Sequence, residues 1–415
     1  RSAMAAFKER NFYSARLLLQ EIALKDARGE YGDDAQYYTA LSYYYEGEYK
    51  AAQFEFKSLM RDYPDSPFVV RAFFWTGEAW FYRKAYREAL ESHAAFVRKY
   101  RENPLAASAL YTMGFIYNEQ NRYDEAVDVL ERALKDYPKT NVVPALTLQL
   151  GIALFNAKEY AKARRHFETL LVNYTQAENL DEARFWLGKS YYAENKFDEA
   201  LREFDAVVKD YPKSKSASEA LYLAALSKYK QRALDEALLY LARVTHEYPQ
   251  SAMYPFARLR EAQLFYEKKD WDAALIPILD LVDNHREHET FFAALQLMAE
   301  IRQKQGKTAE ALKALEALRT AKNLQGKNRR DMLRYYSDLL YQEKQYATAA
   351  AVLDELTEEY SGDNDAATYF LLRARAEFRD NRSTDAQKTL AQLEKKYNDA
   401  KVHAEALFLK AEIAY

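Results

Sequence analysis

The chain has no cysteine, only 10 glycines and 9 prolines in 415 residues, and no long apolar run. Without cysteine there are no disulfides, no thiol catalysis and no Cys-type zinc sites, whatever the redox compartment. Glycine and proline punctuate turns, so their scarcity implies long regular elements. No apolar stretch approaches the roughly 18 residues that would suggest a membrane span. A basic excess is also missing. The 60 Lys and Arg against 63 Asp and Glu leave a net charge of −3, which argues against a broad nucleic-acid surface, where basic charge must release counterions. The opening residues RSAMAAFKER carry no apolar core of a signal peptide.

What is present is helix-forming and aromatic. Apolar residues make up 49% and charged residues 30%, a balance that suits a soluble, packed protein. Frequent Ala, Leu, Glu, Lys and Arg favour helix. Tyrosine stands out at 35, with 22 phenylalanines. Several of the prolines follow tyrosine: Tyr63, Tyr137, Tyr211 and Tyr248 precede Pro64, Pro138, Pro212 and Pro249. Tyr100 and Tyr174 fill the longer gaps, and the underlying period is 37.

The same period governs an alanine, commonly three residues after an aromatic one, as in YREA, YDEA and FDEA. It recurs at Ala15, Ala52, Ala89, Ala126, Ala163, Ala200, Ala237, Ala274 and Ala311, then at Ala349 and Ala386. Twelve residues before each stands a small residue: Ala3, Ala40, Gly77, Gly114, Gly151, Gly188, Ala225, Ala262, Ala299, Ser337 and Ala374. Four after the alanine comes a large apolar side chain in most units, such as Phe56, Leu130, Phe167, Phe204 and Leu241. This pattern predicts a pair of antiparallel helices per unit. Small residues let the two backbones approach, and bulky ones fill the grooves beside the contact. Proline stops one pair and presets the turn into the next.

The order small, aromatic, Ala, bulky, Pro resembles the tetratricopeptide repeat, whose period is about 34 residues. The resemblance covers essentially the whole chain and implies an all-α, right-handed superhelical solenoid of about eleven helix-turn-helix repeats. The extra residues of each unit fall between the proline and the small residue, so the first helix is expected to gain almost a turn. The longer unit with YP between pairs is similar to bacterial envelope members, the outer-membrane β-barrel assembly lipoprotein and the periplasmic Tol–Pal partner. Residues 1–320 read as a regular array, 321–330 (AKNLQGKNRR) as a joint, and 331–415 as degenerate repeats. At the joint the alanine spacing is 38, Lys322 and Asn323 replace YP, and Gly326 follows. The basic run Lys322, Lys327, Arg329 and Arg330 offers an alternative reading as a docking patch. Neither end carries a polar capping face, and the chain is expected to be part of a longer one.

No enzyme signature emerges, and no cofactor or metal is expected. QGKT at 305–308 lacks the first glycine of a phosphate-binding loop, Ile301 standing there, and reads as a helix–helix turn. His285 and His288 in NHREHE fall at an inter-repeat turn, where solvated histidines compete with a metal site. His93, His166, His246 and His403 form no recognisable triad. The triplets at 173 and 381 that fit glycosylation acceptors are expected by chance.

The resemblance also implies where a partner would sit. The family's groove positions lie three before the small residue and one, four and five after it. On this chain they hold Tyr37, Leu41, Tyr44, Tyr45, Phe74, Phe81, Tyr82, Tyr111, Phe115, Leu148, Ile152, Phe155, Phe185, Tyr192, Tyr222, Tyr229 and Tyr266. The Lys and Asn that clamp a carboxylate in chaperone-binding members are largely replaced by aromatics. Tyrosine joins an apolar ring to a polar tip, which suits recognition. The expectation is a non-catalytic scaffold that grips an extended or helical protein segment in a bacterial cell-envelope complex, periplasmic or envelope-associated, with a cytoplasmic setting as the alternative. Competing readings are a glycan- or peptidoglycan-binding solenoid and a regulatory module of a larger enzyme.

Overall fold

The computed structural model describes residues 2–25, 31–321 and 324–415. Lys322 and Asn323 of the expected joint lie outside the described residues. Among these residues there are 23 α-helices and no strand. They fall into two compact units, Arg1–Arg232 and Ala233–Tyr415.

In the first unit the helices are α1 Ser2–Lys8, α2 Phe12–Lys25, α3 Gly32–Tyr45, α4 Tyr49–Asp62, α5 Val69–Tyr82 and α6 Tyr86–Lys99. Then follow α7 Leu105–Glu119, α8 Tyr123–Asp136, α9 Val143–Asn156, α10 Tyr160–Asn173, α11 Leu180–Ala193, α12 Phe197–Asp210 and α13 Ala217–Lys230. The second unit holds α14 Leu234–Glu247, α15 Tyr254–Glu267, α16 Trp271–Asn284, α17 Thr290–Lys304 and α18 Thr308–Arg319. It continues with α19 Gly326–Gln342, α20 Tyr346–Glu359, α21 Ala366–Arg379, α22 Ser383–Lys396 and α23 Ala400–Ala414.

The eleven repeat alanines, from Ala15 to Ala386, are all fully buried. They sit where the two helices of a pair cross, as the spacing predicts. Opposite them a β-carbon on Gly77, Gly114, Gly151 or Gly188 would press into His93, Leu130, Phe167 or Phe204. In the first unit, consecutive first helices from α5 to α13 also touch one another. They line the inner side of that array.

Each pair closes through one backbone device that the sequence reading did not anticipate. The seventh residue after the small one is left-handed in every unit, whether it is Lys84, Asn121, Lys158, Asn195, Arg232 or Gly47, with φ between 57° and 82°. Lys84 N–H bonds to the Phe81 carbonyl at 2.8 Å and Ala85 N–H to the Trp80 carbonyl at 3.1 Å. These bonds satisfy carbonyls that the ending helix leaves open.

Most first helices have the same length as the second ones, although α7 and α17 have 15 residues and α19 has 17. α5 and α6 each have 14 residues, and added length goes into the connections between pairs, six residues long before α5, α9 and α11. There two turns follow in succession: Ser66 N–H bonds to the Tyr63 carbonyl and Val69 N–H to the Ser66 carbonyl, both at 3.1 Å. The tyrosine of this slot reaches back one repeat. Tyr137 Oη donates to the Arg101 carbonyl at 2.7 Å, Tyr360 Oη to that of Gly326 at 3.0 Å, and Tyr397 Oη to that of Ser361 at 2.8 Å. Half-buried rings with tethered tips account for the tyrosine that recurs in this slot, with or without a following proline.

Around residues 321–330 the second unit is better filled than its sequence suggests. Leu318, Leu324, Met332 and Leu333 are buried in one apolar cluster. Arg329 pairs with Glu355 at 3.1 Å and Glu359 at 2.9 Å, and Arg330 with Asp331 at 3.0 Å and Asp363 at 2.7 Å. Arg319 joins the network through Glu355 at 2.6 Å. Arg329 and Arg330 are therefore engaged within the chain and do not form an open basic patch.

Candidate functional site

Five of the expected groove residues converge. Phe74, Phe81 and Tyr82 of α5 and Tyr111 and Phe115 of α7 line a cleft of about 460 Å³, closed at one end by Val142 and Ala145 where α9 begins. The repeat puts them there: four residues separate Phe81 from Gly77, and one separates Phe115 from Gly114, so both lie beside a helix crossing. Phe81 meets Phe115 edge to face with centroids 5.5 Å apart. Tyr82 stacks on Tyr49 at 5.4 Å and stays 52% exposed. Burial raises the Tyr111 hydroxyl above the ordinary phenol range, and the charges of Glu182 and Glu78 push the same way. The Tyr111 hydroxyl thus stays protonated and able to donate a hydrogen bond.

The expected residues differ in burial, and those other than the five above lie outside the cleft. Tyr37, Leu41, Tyr44, Phe74 and Phe185 are buried, so they support the inner face rather than offer area to a partner. Tyr37 stacks on Phe68 at 4.5 Å, which places it in the contact between repeats. Phe74 alone of these five also borders the cleft. Leu148 is buried too, and Ile152, Phe155, Tyr192, Tyr222 and Tyr229 are half-buried along α9, α11 and α13. Tyr45 is 48% exposed and stacks on Phe12 at 5.1 Å. Tyr266 belongs to the second unit, against Trp271.

The polar floor of the cleft escaped the sequence reading. Glu78 Oε1 accepts a hydrogen bond from Thr112 Oγ1 at 2.7 Å. His93 Nε2 lies 3.2 Å from the same oxygen without forming a hydrogen bond. His93 is fully buried beneath Gly77, in the slot that other units fill with Phe, Leu or Ile. Glu78 itself occupies a groove position, one after the small residue. A search for aromatics alone passes over it. Lys189 holds the equivalent position on α11, its Nζ 4.1 Å from the Trp186 ring centroid. Burial lowers its pKa, against the pull of Glu219.

The two histidines of the 284–289 turn pack as rings: His285 against Tyr254 at 5.4 Å and His288 against Phe256 at 5.0 Å. Among the described residues no group of three His, Asp or Glu could hold a metal. Gly306 is left-handed and Thr308 opens α18, so QGKT is a turn between helices. Among the described residues no helix is long and apolar enough to cross a membrane.

Two tetratricopeptide family models match residues 185–252, 297–364 and 371–415, and residues 34–66, together just over half of the chain. The chain belongs to the tetratricopeptide repeat family. Tetratricopeptide proteins are generally protein-interaction scaffolds and typically not catalysts. A model described as outer membrane lipoprotein, YfiO, matches residues 103–196, which include Tyr111 and Phe115. No curated protein matches the chain. Among solved structures, the apo form of RapI is similar over 76% of this chain and 96% of its own, with 14% identity and a TM-score of 0.53. The C-terminal part of a tetratricopeptide protein from Cytophaga hutchinsonii aligns over 62% of this chain and 98% of its own, at 17% identity and a TM-score of 0.49. At such identities the RapI likeness establishes the fold alone.

Proposed function

We propose that this tetratricopeptide array is a scaffold whose first unit grips an extended or helical segment of a protein partner in the cleft between α5 and α7, in the assembly of a bacterial cell-envelope complex. The observation that carries the reading is the convergence of Phe81, Tyr82, Tyr111 and Phe115 on one open cleft of about 460 Å³. Exposed aromatic side chains at low entropy cost are the usual anchors of protein recognition. The envelope setting is supported by the match of residues 103–196 to the outer membrane lipoprotein model.

The test places a photo-crosslinking phenylalanine analogue at Tyr82, or at Val172 of α10, which is 73% exposed. In bacterial envelope fractions the analogue at position 82 should capture one defined protein and the analogue at 172 should not. Phe81→Ala should weaken that capture while the melting temperature changes little. Equal capture at both positions, or capture only of peptidoglycan fragments at 82, overturns the proposal.

A further inference from the structure

The aromatic cleft is built around a carboxylate that, among the described residues, no lysine or arginine pairs with, its one close basic neighbour being the buried His93, 3.2 Å from Oε1. The Glu78 side chain is only 13% exposed. Thr112 donates to Oε1, and among the described residues no lysine or arginine pairs with Glu78 and no hydrogen bond reaches Oε2. Holding a carboxylate in a largely apolar slot without a counter-charge is costly. The lining of the cleft holds no Lys or Arg: beside Glu78 it is Phe, Tyr, Ser, Thr, Val and Ala. Glu182, near enough to raise the Tyr111 pKa, adds a second negative charge.

Elsewhere the chain completes this arrangement itself. Arg122 lies over the Tyr117 ring at 4.5 Å and pairs with Glu125 at 2.9 Å. Arg16 lies over Tyr43 at 4.2 Å and pairs with Glu46. Arg164 lies over Tyr191 at 5.0 Å and pairs with Glu194. Each is a tyrosine and a glutamate closing on a guanidinium. At the cleft the tyrosines are Tyr82 and Tyr111 and the glutamate is Glu78, but the arginine is not supplied from within.

We propose that the cleft takes an arginine side chain of the partner's docking segment, its guanidinium against the Tyr82 and Tyr111 rings and paired with Glu78. This rests on the scaffold reading above and names the chemistry it recognises. Arginine fits better than lysine because a guanidinium is planar, weakly hydrated, stacks on rings and bonds a carboxylate with two N–H groups. Phe81 and Phe115 pack against the methylene stem and exclude water, which strengthens the pair.

The test is an array of octapeptides in which every arginine peptide has a twin with citrulline, the uncharged isostere. Binding is read by fluorescence anisotropy on the full chain and on its Glu78→Gln and Phe81→Ala variants. Glutamine keeps an acceptor for Thr112, and the melting temperature of each variant is checked. Arginine peptides should bind tenfold or more tightly than their twins to the native chain. Glu78→Gln should bring them to the level of the twins and leave the twins unchanged. Phe81→Ala should weaken both. Should Glu78→Gln fail to fold, the citrulline comparison on the native chain decides alone. If both kinds of peptide bind equally and respond only to Phe81→Ala, the arginine inference falls and the cleft stands. If no peptide binds, or none responds to Phe81→Ala, the cleft reading falls with it.

Discussion

Gly151→Ala puts the close helix crossing to a quantitative test. A β-carbon on Gly151 would stand 2.8 Å from Cζ and 2.9 Å from Cδ1 of Phe167, and closer still to Cε1. Phe167 has no exposed surface into which it could retreat. The substitution gains about 1 kcal/mol of helix propensity, whereas forcing a methyl into a filled site costs about 1–3 kcal/mol. Contact with three atoms of one rigid ring puts the cost at the upper end, for a net loss of about 1–2 kcal/mol. In a unit of this size that lowers the melting temperature by roughly 2–8 °C, readable by circular dichroism. Adding Phe167→Leu should restore part of the loss, with a coupling of about 1 kcal/mol. The chain already writes such pairs sixteen residues apart, Ala299 with Leu315 and Ala374 with Leu390. Ala40 with Phe56 is the exception. A Gly151→Ala variant at least as stable as the native chain would refute the argument, because the helix gain would then be unopposed.

The left-handed turns make Lys158→Gly stabilising by about 1 kcal/mol and Gly47→Ala destabilising by a similar amount, as urea unfolding would show. The Arg319–Arg329–Glu355 network predicts that Glu355→Ala costs about 1 kcal/mol or less and that trypsin then cuts at Arg329 and Arg330 faster than in the native chain; unchanged cutting would mean these ion pairs do not restrain the segment. Burial raises the Glu261 carboxyl above its ordinary value, with Arg258 opposing. The folded state therefore binds its proton more tightly than the unfolded chain does. That contribution is present below the ordinary carboxylate pKa and is lost as pH rises through the raised one. Stability of Glu261→Gln relative to the native chain should accordingly climb across this window and then level off; a flat difference would contradict the assigned direction.

The helix pairs were legible in the sequence because their constraint repeats. Ala163 or Gly151 is forced by backbone distance, and the same distance recurs in each unit, so spacing alone exposes it. The left-handed turn was not, since lysine, asparagine, arginine and glycine all tolerate it and share no side-chain feature. The placing of the added residues also escaped, because a helix extended by a turn and a longer connection satisfy the same spacing. Glu78 and His93 were hidden for the opposite reason. They depart from the repeat, and a period search discounts departures, although a site is where a repeating chain has cause to stop repeating. Aromatic identity at groove positions does not separate open rings from packed ones: Tyr37 lies against Phe68 of the next repeat and Phe185 against Phe204 of its own pair.

The tyrosine tether has a bearing on how such a chain grows. Tyr137, Tyr360 and Tyr397 each fasten to a main-chain carbonyl of the preceding turn, and a carbonyl is the same whatever side chain it carries. A segment copied in tandem thus arrives with its own fastening and finds an acceptor waiting. Duplication can lengthen the ladder without any adjustment at the new joint, and each fresh copy is free to drift. A carboxylate or an imidazole can enter one rung while its neighbours keep the scaffold standing.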